Sequence, residues 1–500
     1  MKSNTQIKLG AIISYFTIFF NIISGLLYTP WLINNIGKND YGLFILATTF
    51  INFFIFDFGI GVAISRFACK YIAEGKENKI NDMMGMIYKL YFFIDFLILV
   101  ALFIGYFFID TIYANLTVAE IEKFKVIYVI SATFSLISFP CMPFNGIIQT
   151  YEKFVFLKFT DLISKVLTVL MMIVMMIMGK GLYALVIVNT FIGTLILVVK
   201  YIYIKKNNLC KSNFRYKSKK MLTEVFNFSI WSSVSGIASR LVFNIVPTIL
   251  AMFSGSAEIT LFAISNTLEG YVYTFASALN GLFLPKVTRL IANEDNEEVL
   301  KLMIFVGKFQ LVIVGLIIIG FISVGKDFMI LWMGKDFLSA YYGTVIIIIP
   351  SLVSLTQDIA NTMISVVNEV KLLSLINIIT SIFNVVLLFI AIPLFGAFGA
   401  CIAIGVTAFI RDVILKNLIY QKRLKLDIKR FFRECHLKFI IPFLIVLLLS
   451  NILNKILTDV NILNFVGKTL FIVIIYAVLV YFMVLDYNEK KYLKKYFLKF

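Results

Sequence analysis

Apolar runs of about 20 residues, divided by short polar or basic stretches, follow one another along the whole chain. Runs of that length indicate helices crossing a bilayer, because a helix satisfies its own backbone hydrogen bonds in lipid whereas an isolated strand does not. Fourteen such segments are predicted, at residues 9–33, 41–64, 86–108, 126–148, 156–178, 182–204, 226–251, 258–283, 303–323, 340–364, 372–394, 396–419, 437–454 and 462–485. The expected fold class is an all-α polytopic membrane protein.

Several positions recur at one distance. Gly37 and Gly255 are 218 residues apart, as are Leu43-Phe44 and Leu261-Phe262; Ile202-Tyr203 returns as Ile419-Tyr420, Gly179 as Gly396 and Thr190 as Thr407 at 217. A single offset at widely separated places indicates a duplicated unit, a common construction of secondary transporters. The expected organisation is a six-helix lobe over residues 1–217, a second lobe repeating it over 218–434, and two extra segments with a basic tail over 435–500.

Polar residues fall at three- and four-residue steps on some segments and hardly at all on others. Segment one carries Gly10, Ser14, Thr17, Asn21, Ser24 and Tyr28; segment seven carries Ser229, Ser232, Ser233, Gly236, Ser239, Arg240 and Asn244. Segment eight has Asn266, Glu269, Tyr273, Ser277 and Asn280, and segment ten has Ser351, Ser354, Asp358, Asn361, Ser365 and Asn368. Segment two, with Thr49, Asn52, Gly59 and Arg66, is a weaker case. Such a stripe either lines an aqueous cavity or forms a close helix-packing face of small residues. Segment one is open to both readings, whereas an ionisable residue on the stripes of segments seven, eight and ten favours the cavity. The candidate cavity-lining residues are Ser14, Thr17, Asn21, Asn52, Ser233, Asn244, Asn266 and Tyr273.

A charge at bilayer depth costs roughly 2.5–3.5 kcal/mol on insertion scales, so those retained face protein or water. Glu269 and Asp358 are candidates for binding a coupling cation, H+ or Na+. Arg240 offers a planar fork that suits a diphosphate; the alternative is that it pairs with Glu269 or Asp358 as a latch. Asp161 and Lys165, four residues apart, are expected to pair with each other. Arg66 and Arg411-Asp412, near segment ends, are expected to snorkel, and Asp57 and Asp95 lie deeper without a clear stripe.

With 60% hydrophobic residues and a mean hydropathy of +0.94, no sizeable soluble domain fits in the chain. Its net charge of +18 need not mean nucleic acid. If the N-terminus is cytoplasmic, most Lys and Arg fall on the cytoplasmic side, including the linker at about 205–225, and both termini are expected there. The first segment reads as a retained signal anchor. Five cysteines without a Cys-x-x-Cys and a single histidine, His436, argue against a disulfide framework, a zinc site or a His-based catalytic triad. No connection is long enough for a catalytic domain, so a polymerase or glycosyltransferase is disfavoured; neither an enzyme nor a cofactor is expected.

The hinge from Leu32 to Phe44, with Ile36-Gly37 and Tyr41-Gly42-Leu43-Phe44, followed by Asp57-Phe58-Gly59-Ile60 with Arg66 and by Pro285 and Arg289 with their acidic tail, resembles the polysaccharide flippases. These are O-antigen and capsule exporters of the multidrug/oligosaccharidyl-lipid/polysaccharide exporter superfamily. The resemblance implies a V-shaped pair of six-helix lobes around a cavity lined mainly by segments one, two, seven and eight. It also implies an undecaprenyl-diphosphate-linked oligosaccharide as substrate, moved from the inner to the outer leaflet of the bacterial cytoplasmic membrane by alternating access, with membrane lipid and polysaccharide-assembly proteins as partners. Many relatives carry adjacent acidic and basic residues in segment seven, whereas this chain has Ser239-Arg240, so an acidic role there does not transfer. A cation-coupled drug or metabolite antiporter of the same superfamily is the alternative function.

Overall fold

The computed structural model describes residues 3–54, 56, 58–277, 283–293, 295–367, 369–487 and 489–490. Among them every regular element is helical. The chain opens with α1 (Ser3–Ile36), α2 (Lys38–Phe54), α3 (Ile60–Ala73), α4 (Asn78–Ile112), α5 (Val118–Ser138), α6 (Pro143–Thr150), α7 (Phe154–Ile177) and α8 (Leu182–Lys206). After the basic linker come α9 (Lys219–Phe243), α10 (Val246–Phe253), α11 (Ser256–Ser277), α12 (Leu284–Ala292), α13 (Asn296–Trp332), α14 (Leu338–Ile348), α15 (Ser351–Ser354) and α16 (Asp358–Val366). The series ends with α17 (Val370–Ala408), α18 (Lys416–Lys422), α19 (Ile428–Phe431), α20 (Leu437–Ile456) and α21 (Ile462–Leu479).

Among the described residues eleven helices are long and apolar enough to cross a membrane, and the chain is a multi-pass membrane protein. Three differences separate this number from the predicted fourteen segments. Segment two is broken into α2 and α3; segment eight, as α11, is long enough but too polar along its stripe to be counted; and Val370–Lys422 counts as one run of 53 residues. At about 1.5 Å per residue that run would be ~80 Å long, far beyond a ~30 Å hydrocarbon core. Gly396 resolves the excess: its φ of 56° and ψ of −133° interrupt the helix. Before it, Asn384 donates to the Val242 carbonyl and the Ile392 carbonyl accepts from Ser254 Oγ, so this arm follows α9 and α10; after it, Cys401 and Ile346 pack on Gly343 and Gly405 respectively, so the second arm follows α14.

Other interruptions sit where proline removes a helical donor. A 3-10 turn at Phe139–Cys141, containing Pro140, separates α5 from α6, Pro247 opens α10, and Pro350 precedes α15. Starts are set by side-chain caps. Thr117 and Glu120 form a full capping box on α5, and Ser218, Asp295 and Asn461 accept from backbone amides at the starts of α9, α13 and α21.

Left-handed residues also recur at the offset read from the sequence. Gly37 (φ 87°) and Gly255 (φ 89°) are 218 apart, while Gly179 (φ 72°) with Gly396 (φ 56°) and Asn208 (φ 48°) with Lys425 (φ 53°) are 217 apart. At the third pair the side chains differ, so the recurrence is one of backbone conformation.

The chain forms two compact units, residues 1–263 with 377–397 and residues 264–376 with 398–500. In the first, α1 packs along α7, α3 along α6 and α9, and α5 along α8. The second is built on α13, whose buried face, including Met303, Leu311 and Ile319, meets Phe431, Phe439 and Tyr476 in one core. Rows of exposed apolar side chains, such as Phe92, Phe96, Phe103 and Phe107 on α4, fit a hydrocarbon environment.

Candidate transport site

In the first unit, the break in segment two meets the polar stripe of α9. Phe58 (φ 49°) and Gly59 (φ 65°) leave helical conformation just before α3, whose Ala63 amide donates to the Gly59 carbonyl at 3.3 Å. Serine hydroxyls of α9 reach both carbonyls. Ser229 Oγ donates to the Gly59 carbonyl at 3.4 Å and Ser233 Oγ to the Phe58 carbonyl, with the Ser229 carbonyl a second acceptor for Ser233 at 2.9 Å. A Cβ on Gly59 would stand 2.8 Å from Ser232 Cβ. One and two turns further along α9, the Phe56 ring fills the space over Gly236, and the Arg240 guanidinium lies 5.0 Å from the centre of that ring. Phe228 is similarly capped by Arg66 at 4.5 Å. Arg66, expected to snorkel, thus sits on an aromatic face.

Of the other candidates in this unit, Ser14 and Thr17 donate to the Gly10 and Ile13 carbonyls of their own helix at 2.9 and 2.7 Å. Backbone-bonded hydroxyls of this kind suit either a packing face or a cavity wall. Asn21 and Asn244 are partly buried and Asn52 is exposed. Asp57 lies outside the described residues, as do Asn280 and Asn368.

A second polar group closes the far end of the same unit. Glu120 accepts from the Thr117 amide at 2.9 Å, from Asn39 Nδ2 at 3.1 Å and from Ser256 Oγ. Lys123 holds Asp40 at 2.7 Å, Thr260 Oγ1 donates to the Lys38 carbonyl at 2.6 Å, and Gly42 packs on the Ser256 carbonyl. The hinge at Gly37 is thereby joined to its echo at Gly255. Sequence reasoning passed over Glu120 because it falls in a connection; the Thr117-x-x-Glu120 capping signature was its only visible sign.

In the second unit, Asn266 is partly buried and Tyr273 exposed. Glu269 lies within electrostatic reach of Arg411. Arg411 forks onto Asp412 through Nε at 3.0 Å and Nη2 at 2.9 Å, and Lys416 reaches the same carboxylate at 2.8 Å. All three lie in or beside the π-helical turn Phe409–Leu415. Asp412 is buried, which corrects the expectation of a snorkelling pair at a segment end: the π turn brings Arg411 and Lys416 onto one carboxylate inside the protein. Asn417 donates to the Asp412 carbonyl at 3.2 Å and accepts from Gln357 Nε2 at 2.7 Å, and Tyr420 donates to Asn361 at 2.8 Å. Asp358 lies within electrostatic reach of Tyr420. Glu269 and Asp358 therefore border one polar network that ties the break before α16 to the π turn.

The Asp161–Lys165 pair is not formed. Asp161 meets Lys200 of α8 at 3.4 Å, and Lys200, buried, also donates to Asn145 at 3.0 Å, while Lys165 points outward. His436 is partly buried, its Nε2 3.2 Å from both Thr356 Oγ1 and the Leu352 carbonyl. Among the described residues no group of three or more His, Cys, Asp and Glu could hold a metal ion.

Residues 8–291 match the family model described as polysaccharide biosynthesis protein. The chain belongs to that family. Among solved structures it is similar to the lipid II flippase MurJ in an inward closed conformation, at 16% identity and a TM-score of 0.67 over 94% of this chain and 97% of that one. It is also similar to an inward-facing multidrug resistance MATE family transporter of the MOP superfamily (13% identity, TM-score 0.62, covering 83% and 96%). A third similar structure is the Vibrio cholerae MATE transporter VcmN in its bent form (13%, TM-score 0.53, 85% and 98%). At these identities the likeness is one of fold. No curated protein sequence matches the chain.

Proposed function

We propose that this polysaccharide biosynthesis protein is a flippase that moves an undecaprenyl-diphosphate-linked oligosaccharide from the inner to the outer leaflet of the bacterial cytoplasmic membrane. The reading has both termini cytoplasmic and two duplicated six-helix lobes working by alternating access. The observation that carries it is Arg240, a half-buried guanidinium on the polar stripe of α9, set over Phe56 at the break of segment two. Packing on an aromatic face orients the planar group. A guanidinium fork suits the paired oxygens of a diphosphate, and the likeness to a lipid II flippase favours a lipid-linked substrate of this kind.

The family and Arg240 together favour a flippase over the drug antiporter, whose fold is similar. Glu269 and Asp358 are proposed as the site of cation coupling, with H+ or Na+ offsetting carboxylate charge in the network around Arg411 and Asp412.

The deciding experiment is transport of a lipid-linked oligosaccharide by Arg240 variants at matched membrane levels. Arg240→Ala is expected to abolish flipping and Arg240→Lys to reduce it by roughly tenfold or more, since a point charge does not reproduce the fork. Full rescue by lysine would instead favour the latch. Unimpaired transport by the alanine variant would remove Arg240 from the site.

A further inference from the structure

A groove of about 670 Å3 opens on the first unit between α4, the bend joining α5 to α6, and the last turns of α8. Its size falls within the ~300–1,000 Å3 typical of ligand sites. Aromatic rings line its wall among aliphatic side chains: Tyr88 lies 6.2 Å from Phe214, and Phe144 lies 6.1 Å from Tyr201. Phe92 and Tyr201 are 53% and 52% exposed, so the groove is continuous with the apolar flank of the helices. At its polar end stand Lys205 and Ser212.

The basic linker forms part of this wall because α4 pins it. Asn81 accepts the Lys211 amide on its side chain at 2.7 Å and the Asn213 amide on its carbonyl at 2.9 Å. Asp82 accepts from Asn213 Nδ2 at 2.7 Å, and Lys89 donates to the Tyr216 carbonyl at 3.0 Å. Between these, Gly85 lies flush against the Asn213 backbone, where any Cβ would collide. Asn81, Gly85 and Lys89 step by four along α4, a one-faced seat for the linker. Phe214 is consequently held half-exposed at the groove while Lys211, Arg215 and Lys217 beside it in sequence remain exposed. The proposed transport function uses none of these residues.

We infer that this groove binds an anionic glycerophospholipid, with an acyl chain along the aromatic wall and the phosphate against Lys205 and the pinned linker. An apolar slot alone would accept any lipid tail. The ordered basic segment at its mouth supplies the selection for negative headgroups, as juxtamembrane Lys and Arg do at anionic membrane surfaces. Occupancy would brace the linker between α8 and α9, making its geometry sensitive to lipid composition. Only the leaflet that supplies the lipid depends on the topology proposed above; binding itself does not.

The test is tryptophan quenching in nanodiscs by brominated-chain phosphatidylglycerol or, at equal mole fraction, brominated-chain phosphatidylcholine. The reporter is Phe214→Trp, with the unsubstituted protein giving the background of Trp31, Trp231 and Trp332. Phosphatidylglycerol is expected to quench the added fluorescence roughly threefold more strongly. That preference should disappear when Lys205, Lys211 and Arg215 are all changed to Gln, and should weaken in Gly85→Ala. Equal quenching by the two lipids would mean an unselective lipid-facing surface and overturn the proposal. So would a preference that survives the triple Gln change, or no quenching by either lipid. Because both leaflets have one composition and no glycan is present, these outcomes are independent of the flippase reading.

Discussion

Gly42 packs so closely on the backbone carbonyl of Ser256 that a Cβ at position 42 would overlap the oxygen. The contact joins the start of α2 to the start of α11, beside the Glu120 and Asp40 groups. Gly42→Ala should therefore weaken this closure, by the ~1–3 kcal/mol typical of overpacking. The readout is reaction of an Asn115→Cys probe with an impermeant maleimide, since Asn115 Nδ2 bonds the Met252 carbonyl at the same end. We expect labelling to rise by about tenfold, the equivalent of 1.4 kcal/mol, with normal membrane insertion. Unchanged labelling would separate Gly42 from closure.

Lys468 of α21 is 2% exposed and lies 2.6 Å from Asp327 of α13, itself only 15% exposed. Removing one partner strands the other charge inside the protein, at a typical cost of ~3–5 kcal/mol. Lys468→Met and Asp327→Asn should each lower the melting temperature markedly, and the double change should lower it less than the sum. Additive losses would show that the two charges are not coupled.

Neutralising Glu269→Gln and Asp358→Asn together should remove the dependence of transport on pH or sodium while leaving lipid-linked substrate binding measurable. Transport with unaltered ion dependence would exclude both residues from coupling.

Burial pushes the Cys210 thiol up to about 11, above the ordinary cysteine range. The thiolate is the reactive species, so at pH 7 maleimide should modify Cys210 much more slowly than an exposed cysteine. The rate should still be rising at pH 10, whereas a plateau near pH 8.5 would contradict the shift. For sidedness a Lys217→Cys probe is better, because position 217 is exposed. Labelling only from the cytoplasmic face is expected.

The spans were legible because an apolar run of bilayer length has few alternative structures in lipid. Even the interruption at Gly396 coincides with the predicted boundary between segments eleven and twelve. What sequence could not give was the partner of each charge. A spacing of four made Lys165 look like the natural mate of Asp161, but that rule sees only one helix, and Lys200 arrives from another. Lys468 drew no attention inside a long apolar run because its compensation, Asp327, lies 141 residues away. The stripe on α9 was visible, yet the break that receives Ser229 and Ser233 was not: Phe58 adopts a conformation unusual for phenylalanine, which no local pattern announces.

Ser233 holds two acceptors at once, one across the helix interface and one in its own helix. If α9 withdraws from Phe58, the hydroxyl can swing fully onto the Ser229 carbonyl and no donor is stranded. An amide in its place would have to be stripped of its partner before the surfaces could part. Polar adhesion and easy release thus coexist in one side chain, which makes this seam behave as a clutch rather than as a weld.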